Sequence, residues 1–358
     1  MAEITGPGRL VASTRLNRFT AAEIALAAEA SEDDLPPPKV VHAVTNYRLS
    51  YRTIDGFGRE LTASGLLSVP DKPPVVASPV ISYQHGTIFY NAEAPSVDAS
   101  AGTVPVLLAS MGFVVVAADY VGYGDSQGEE HPYLLAKPTA AAVLDLLTAA
   151  RSWRSQNHIA DNGQLFLLGY SEGGYATMAA HRELQARQGP DPDALVMNIA
   201  GAGPYDVGVT LDELLRRVRR DNPVLAALVS PGLLRNLGSS LRNEVRRALL
   251  RELIPEDADV SFQSTFIDHF LADDRAAIER DCNVHDWRPQ APLWMFHGRD
   301  DETVPYAAAL SALNAMQARA APQVALIDCG AQPSSHLGCV APYWLFMLDR
   351  LAGNARDL

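Results

Sequence analysis

The sequence predicts an α/β fold: a mostly parallel central sheet flanked by helices, with a helical insertion late in the chain. Three observations carry this. Short continuous apolar runs, such as Phe113 to Ala118 and Leu165 to Leu168, read as strands buried on both faces. They alternate with stretches of helical spacing, as at Thr139 to Arg151 and Tyr306 to Arg319. From about 205 to 290 the rhythm stops, and the chain offers amphipathic helical segments with no convincing strand.

Taken in order, residues 1–38 form a leader with one short helical stretch, Ala21 to Ala30, ending in Pro36, Pro37 and Pro38. Val40 to Ile54 alternates as a strand. Asp55-Gly56-Phe57-Gly58 turns, and Glu60 to Val69 alternates again, which makes a hairpin. Strands are then expected at Val80 to Tyr83, Phe113 to Ala118, Leu165 to Leu168, Leu195 to Ala200, Leu293 to Phe296 and Val324 to Ile327. Helices are expected at Thr139 to Arg151, Glu172 to Arg187, Tyr306 to Arg319 and Tyr343 to Leu351. The insertion offers helices at Leu211 to Arg220, Val224 to Val229, Leu241 to Leu253 and Phe262 to Phe270. The expected organisation is therefore a core of residues 39–204 and 291–358 with a helical cap at 205–290.

The bulk composition narrows the function classes. At 358 residues, 47% hydrophobic and 20% charged, the chain can bury a sizeable core. A formal net charge of −13 argues against a nucleic-acid partner, since phosphate binding needs basic surface. No apolar stretch is long enough to predict an integral membrane segment; the longest candidate, Pro105 to Ala118, is broken around Ser110 to Gly112. The opening MAEITGPGRL lacks the apolar centre of a secretion signal. The chain is thus either cytoplasmic or one from which a signal was trimmed.

Two segments match GxSxG: Gly169-Tyr170-Ser171-Glu172-Gly173 and Gly124-Asp125-Ser126-Gln127-Gly128. Chance alone supplies on the order of 0.1 such matches in a chain of this length, so context must choose. The motif works at a sharp strand-to-helix turn, where the serine stands above the sheet at a helix N-terminus. Leu165 to Leu168 leads into Ser171, and a good helix follows. Ser126 follows a loop and precedes Glu129-Glu130-His131-Pro132, which cannot open a helix at once. Ser171 is therefore the candidate nucleophile.

A serine hydroxyl needs an imidazole base, itself oriented by a carboxylate. In a strand–turn–helix hydrolase the chain order is serine, acid, histidine. The loop after Leu293 to Phe296 holds Asp300, Asp301 and Glu302, and Asp206 is a weaker candidate after an earlier strand. His336 is the only histidine beyond the last strand. His297 is expected to pack beneath the acid loop, and His131 is a candidate lining residue. His269 and His285 in the insertion are candidates for substrate contact, and His42, His158 and His181 read as surface positions. No cluster has metal-ligand spacing, so neither a metal nor another cofactor is expected. Backbone donors for an oxyanion are expected from Glu172 and from the turn His85-Gly86-Thr87, without a choice among those three. Tyr170, Tyr133, Leu225 and Leu228 are candidate pocket residues, with Val229, Leu233 and Leu234 beside them.

The three cysteines are Cys282, Cys329 and Cys339. The last two bracket His336; they form either a disulfide that pins its loop or two buried thiols.

In this order the motifs resemble bacterial α/β-hydrolase carboxylesterases, and more narrowly the secretory lipase family. The resemblance rests on Tyr83-Gln84-His85-Gly86-Thr87, Asp119-Tyr120-Val121-Gly122-Tyr123-Gly124, His131-Pro132-Tyr133-Leu134, Gly169-Tyr170-Ser171-Glu172-Gly173-Gly174, and His297-Gly298-x-x-Asp301-x-x-Val304-Pro305. Ser335-His336 completes the set, which spans most of the chain. It implies the α/β-hydrolase fold, Asp301 as the acid that orients His336, and hydrolysis of a small-molecule, lipid or polyester ester under a helical cap. Glu172 departs from the family, which often has Gln there. A peptidase of the same fold and a non-catalytic hydrolase-fold binding protein are the alternatives. Oligomeric state is not legible.

Overall fold

Nine strands form one sheet in the order β1-β2-β3-β5-β4-β6-β7-β8-β9 in the computed structural model, which describes residues 5–30, 35–73, 75–187, 195–221 and 234–358. The first half is antiparallel. β1 (Leu10–Phe19) pairs with β2 (Val44–Ile54), β2 with β3 (Glu60–Pro70), and β3 with β5 (Val114–Ala118). From β5 onward every pairing is parallel: β4 (Ser78–Gln84), β6 (Asp161–Tyr170), β7 (Leu195–Gly201), β8 (Leu293–His297) and β9 (Val324–Asp328). The predicted mostly parallel sheet is borne out, with one addition. The leader contributes β1 to the sheet edge, an exposed strand whose sequence carries no buried alternation.

Helices cover both faces because the central strands are apolar on both sides; all five residues of β5 are buried. On one face pack α3 (Ala136–Gln156) and α4 (Glu172–Ala186), with Val143, Leu146 and Ala180 against Val116, Leu167 and Tyr51. On the other lie α1 (Ala21–Glu29), α2 (Val104–Ser110) and the C-terminal helix Val340–Asn354, around Phe166, which stacks edge-on against Phe113. Truncating a fully buried phenylalanine such as Phe166 would cost about 3–5 kcal/mol.

Between β7 and β8 run three longer described helices of the insertion, α5 (Val207–Asp221), α6 (Ser239–Leu253) and α7 (Thr265–Leu271), with short helical turns beside them. Leu211, Leu215, Val245 and Phe266 join one apolar cluster with Tyr175 and Met178 of α4. Among the described residues of 205–290 there is no strand of the sheet. The expected helix at Val224 to Val229 lies outside the described residues. Helix α8 (Tyr306–Ala318) follows β8, and α9 is the C-terminal helix already named.

The parallel register decides where chemistry can occur. Gln84 pairs with Gly169, Tyr170 with Gly201, Gly201 with Phe296, and His297 with Asp328. The carboxyl ends of β4, β6, β7, β8 and β9 therefore finish along one edge, and the loops leaving them meet there.

Candidate active site

Ser171 sits where β6 ends and α4 begins, with φ 59° and ψ −122°. A non-glycine residue at positive φ is strained, and the surroundings must hold it. They do so by close approach. A Cβ on Gly169 would lie 2.3 Å from the Gly173 carbonyl oxygen, and one on Gly174 would lie 2.2 Å from that of Gly201. Only glycine lets the strand, the turn and the helix come this close. The Ser171 amide donates to the Gly201 carbonyl at 2.9 Å. From α9, the Tyr343 hydroxyl accepts from the Gly169 amide at 3.0 Å and donates to the Ile199 carbonyl at 2.9 Å.

His336 joins Ser171 to Asp301. Its Nε2 lies 2.9 Å from Ser171 Oγ, and its Nδ1 lies 2.6 Å from Asp301 Oδ2. The Asp301 carboxylate is fully buried and fully engaged. Its Oδ1 accepts from the amides of Thr303 (2.9 Å) and Val304 (2.8 Å). His297 Nε2 lies 3.3 Å from Oδ2 and 2.9 Å from the Val304 carbonyl, so this ring packs beneath the acid loop as expected. Burial alone would raise the Asp301 pKa; the contacts with His297 and His336 and the Val304 amide outweigh it and hold the carboxyl at about 2. At neutral pH it is therefore ionised and can only accept, so Nδ1–H faces it.

The other carboxylates do different work. Asp300 Oδ2 accepts from the Ser334 amide at 3.0 Å and from its hydroxyl at 2.9 Å. Ser334 Oγ in turn accepts from the amides of Arg299 (2.9 Å) and Asp300 (3.1 Å), so Asp300 latches the loop that carries His336. Glu302 is exposed, and its carbonyl accepts from Arg217 of α5. Asp206 accepts from Ser311 Oγ at 2.7 Å, far along the chain from the imidazole loop.

Cys329 and Cys339 are joined as a disulfide that closes the same loop, and Cys282 is a buried free thiol. Tyr170 adds a third anchor, donating from its hydroxyl to the His336 carbonyl at 2.7 Å. The side chain read as pocket lining therefore both lines the site and fixes the histidine backbone.

Ser126 lies elsewhere. It is buried in a turn, accepting from the Gly122 amide at 3.1 Å and donating to the Tyr123 carbonyl at 2.9 Å. The turn reaches Asp119 through Ser64, whose Oγ accepts from the Asp125 amide at 2.8 Å and donates to the Asp119 carboxylate, which also accepts from Ser96. A Cβ on Gly124, at φ +55°, would lie 2.1 Å from Ser64 Oγ.

A cavity of about 320 Å³ opens over Ser171 and His336. Gly86, Thr87, Tyr133, Tyr170 and Glu172 line it, with Phe89, Leu134, Leu253, Val304, Leu337 and Val340 as its apolar walls. The Tyr133 hydroxyl lies 3.1 Å from Thr87 Oγ1. A Cβ on Gly86 would stand 3.7 Å from Ser171 Cβ, so the β4 loop passes directly against Ser171. The His85 ring turns away, its Nδ1 2.7 Å from the Gly86 carbonyl. Leu225, Leu228, Val229 and Leu233 lie outside the described residues. Leu234 is buried in the apolar cluster that joins the insertion to Tyr175 and Met178 of α4.

His269 pairs with Asp281 and His285 approaches Asp206; neither is among the residues lining the cavity. His131 stands behind the cavity wall rather than in it. His181, read as a surface position, is buried edge-on against Trp287, and burial pushes its pKa down to about 3. No described helix is long and apolar enough to cross a membrane.

The secretory lipase family model matches residues 91–231. Among solved structures, a putative hydrolase from Legionella pneumophila is similar over 96% of this chain and 97% of its own, at 24% identity and TM-score 0.74. The rice cell wall degrading esterase LipA from Xanthomonas oryzae covers 98% of this chain and 99% of its own, at 24% identity and TM-score 0.71. Candida antarctica lipase A in its closed state covers 92% of this chain and 78% of its own, at 15% identity and TM-score 0.59. No curated protein matches the chain by sequence. The sheet order and the helices on both its faces give this chain the α/β-hydrolase fold, and residues 91–231 resemble the secretory lipase family.

Proposed function

We propose that the chain cleaves carboxylic esters through an acyl-enzyme on Ser171, with His336 as base and acid and Asp301 as the orienting carboxylate. The observation that carries this is the contact chain through one imidazole: 2.9 Å to Ser171 Oγ on one side and 2.6 Å to Asp301 Oδ2 on the other. Asp301 fixes the proton on Nδ1, leaving Nε2 to take the Ser171 proton as Oγ attacks the ester carbonyl. The oxyanion is held by the Glu172 amide, an N-terminal helix donor with no intrahelical partner, and by an amide of the Gly86–Thr87 turn. His336 then protonates the leaving alcohol. Water, deprotonated by the same nitrogen, releases the acid.

Residues 205–290 act as the cap over this site. Support comes from Thr210 and Leu253 in the cavity wall and from the Arg217 contact to the Glu302 carbonyl, which joins the insertion to the acid loop. A cavity of about 320 Å³ is at the low end for ligand sites and favours short acyl groups. Of the acidic residues a peptidase could use to bind an amine, Glu172, Glu129 and Glu130, the first is buried against His131.

The test is hydrolysis of p-nitrophenyl acetate, butyrate, octanoate and palmitate by wild type and Ser171→Ala, with fluorophosphonate labelling alongside. Activity on the shorter esters that vanishes in the variant is expected. A wild type that neither cleaves an ester nor takes the label at Ser171 would refute the proposal.

A further inference from the structure

Directly behind the nucleophile lies a buried pair that the mechanism above does not use. His131 Nε2 is 2.7 Å from Glu172 Oε1, and the two side chains are 1% and 2% exposed. His131 Nδ1 lies 2.9 Å from the Val121 carbonyl, which can only accept, so this nitrogen carries a hydrogen. One further proton lies between Nε2 and the carboxylate. The other carboxylate oxygen, Glu172 Oε2, is buried without a hydrogen-bond partner among the described residues.

The rest of His131 is equally constrained. Its ring stacks on Tyr120 and meets Tyr123 and Phe262 edge-on, with Tyr133 on a further side. Its backbone amide donates to the Ser261 carbonyl at 2.7 Å, and its carbonyl accepts from the Gln263 amide at 2.8 Å. His131 thus connects the insertion, just before α7, to the first residue of α4.

A buried polar pair seldom adds stability over apolar side chains of the same volume, and an unpaired carboxylate oxygen makes this one more costly still. Its position supplies the reason to look for a role, since the residue it holds is the one whose amide faces the oxyanion. Resting on the proposed serine mechanism, we infer that the His131–Glu172 pair is a positioning device for the Glu172 amide, transmitting the seating of the segment around Phe262 to the oxyanion site. Glu172 acts through its backbone, and His131 acts through Glu172; neither side chain touches the substrate. Misplacing one oxyanion donor is expected to reduce kcat while leaving ground-state binding nearly unchanged.

The experiment measures kcat and KM for p-nitrophenyl butyrate, thermal melting and fluorophosphonate labelling in wild type, His131→Phe, Glu172→Ala, Glu172→Gln and the double variant His131→Phe/Glu172→Leu. His131→Phe and Glu172→Ala should lose roughly 10- to 100-fold in kcat with KM within about threefold. Glu172→Gln, which can still hydrogen-bond His131, should lose distinctly less than Glu172→Ala. The double variant removes the buried carboxyl group that His131→Phe alone would leave without a partner, so its melting temperature should return toward wild type while kcat stays low. Recovery of kcat together with stability in the double variant would overturn the inference, leaving the pair as packing. So would an unchanged kcat in Glu172→Ala, and this variant decides the matter if His131→Phe does not fold. A wild type that is neither active nor labelled overturns the serine mechanism and this inference together, whereas an active, labelled wild type with insensitive variants overturns this inference alone.

Discussion

Replacing Asp301 by asparagine should disable the site by turning one imidazole the wrong way. Oδ1 of Asp301 accepts from two backbone amides, at 2.9 and 2.8 Å, and those donors cannot move. The Asn carbonyl oxygen must therefore take that side, leaving its NH₂ to face His336. A donor facing Nδ1 makes Nδ1 an acceptor and moves the ring proton to Nε2. Nε2–H then points at Ser171 Oγ, and the base is lost. Loss of the correct tautomer at a serine–histidine site costs on the order of 10⁴-fold in kcat. KM should change little, because Asp301 is buried and touches no substrate.

The same substitution has a stability signature. The Asp301 pKa falls from the ordinary 3.8 to about 2 in the folded chain. At about 1.4 kcal/mol per unit, this corresponds to roughly 2 kcal/mol. Because the folded value lies below the unfolded one, the contribution is present above 3.8 and is lost as pH falls toward about 2. Asp301→Asn should therefore lower stability at neutral pH and flatten the loss seen in wild type on acidification. The assay is kcat and KM on p-nitrophenyl butyrate with thermal melts at neutral and acid pH, and Asp300→Asn as the comparison. Asp300 contacts Ser334 and not the ring, so its variant should lose far less. A folded Asp301→Asn protein with kcat within tenfold of wild type would refute the assignment.

Three further outcomes are expected. Reducing the Cys329–Cys339 disulfide, or replacing both residues by serine, frees a loop with a sequence separation of 10 and should cost about 2–3 kcal/mol, read as a lower melting temperature with slower labelling of Ser171. Tyr170→Phe removes the donor to the His336 carbonyl and about 1 kcal/mol with it; kcat should fall by roughly tenfold, more than KM changes. Ser126→Ala should melt lower, having lost two buried hydrogen bonds, yet label at Ser171 as wild type does; labelling that disappears would make Ser126 the nucleophile after all.

What could be read from the sequence was what is local in it. The elbow at Ser171 is encoded by residues adjacent in the chain: an apolar strand, three glycines and a helix former. The order of the strands placed the loop of Asp300, Asp301 and Glu302 and that of His336 at the same sheet edge, and the family resemblance singled out Asp301. The hairpin of β2 and β3 was legible because both strands alternate. β1 was not, because an exposed edge strand needs no alternation. The His131–Glu172 contact and the Tyr170 anchor were invisible for another reason: their partners lie 41 and 166 residues apart, and no periodicity reports such a pairing. His181 was misread because the residue that covers it, Trp287, comes from the far end of the insertion.

The loop carrying His336 shows how a polar segment can hold catalytic geometry. Left to itself, such a loop would be mobile, and a 1 Å misplacement can cost on the order of 100-fold in rate. Here it is closed by the disulfide at its base, latched by Ser334 to Asp300, and tied by the His336 carbonyl to Tyr170. Two of the anchors come from neighbouring strand ends: the β8 loop supplies Asp300, and the last residue of β6 is Tyr170. Yet none of the three makes a hydrogen bond to the His336 ring. The ring is held by its Asp301 contact at Nδ1, which leaves Nε2 directed at Ser171 and the cavity. That division is what the chemistry requires. In the proposed mechanism the histidine must be fixed in place, but the nitrogen that would take a proton from Ser171 and return it to the departing alcohol must remain uncommitted to any structural bond.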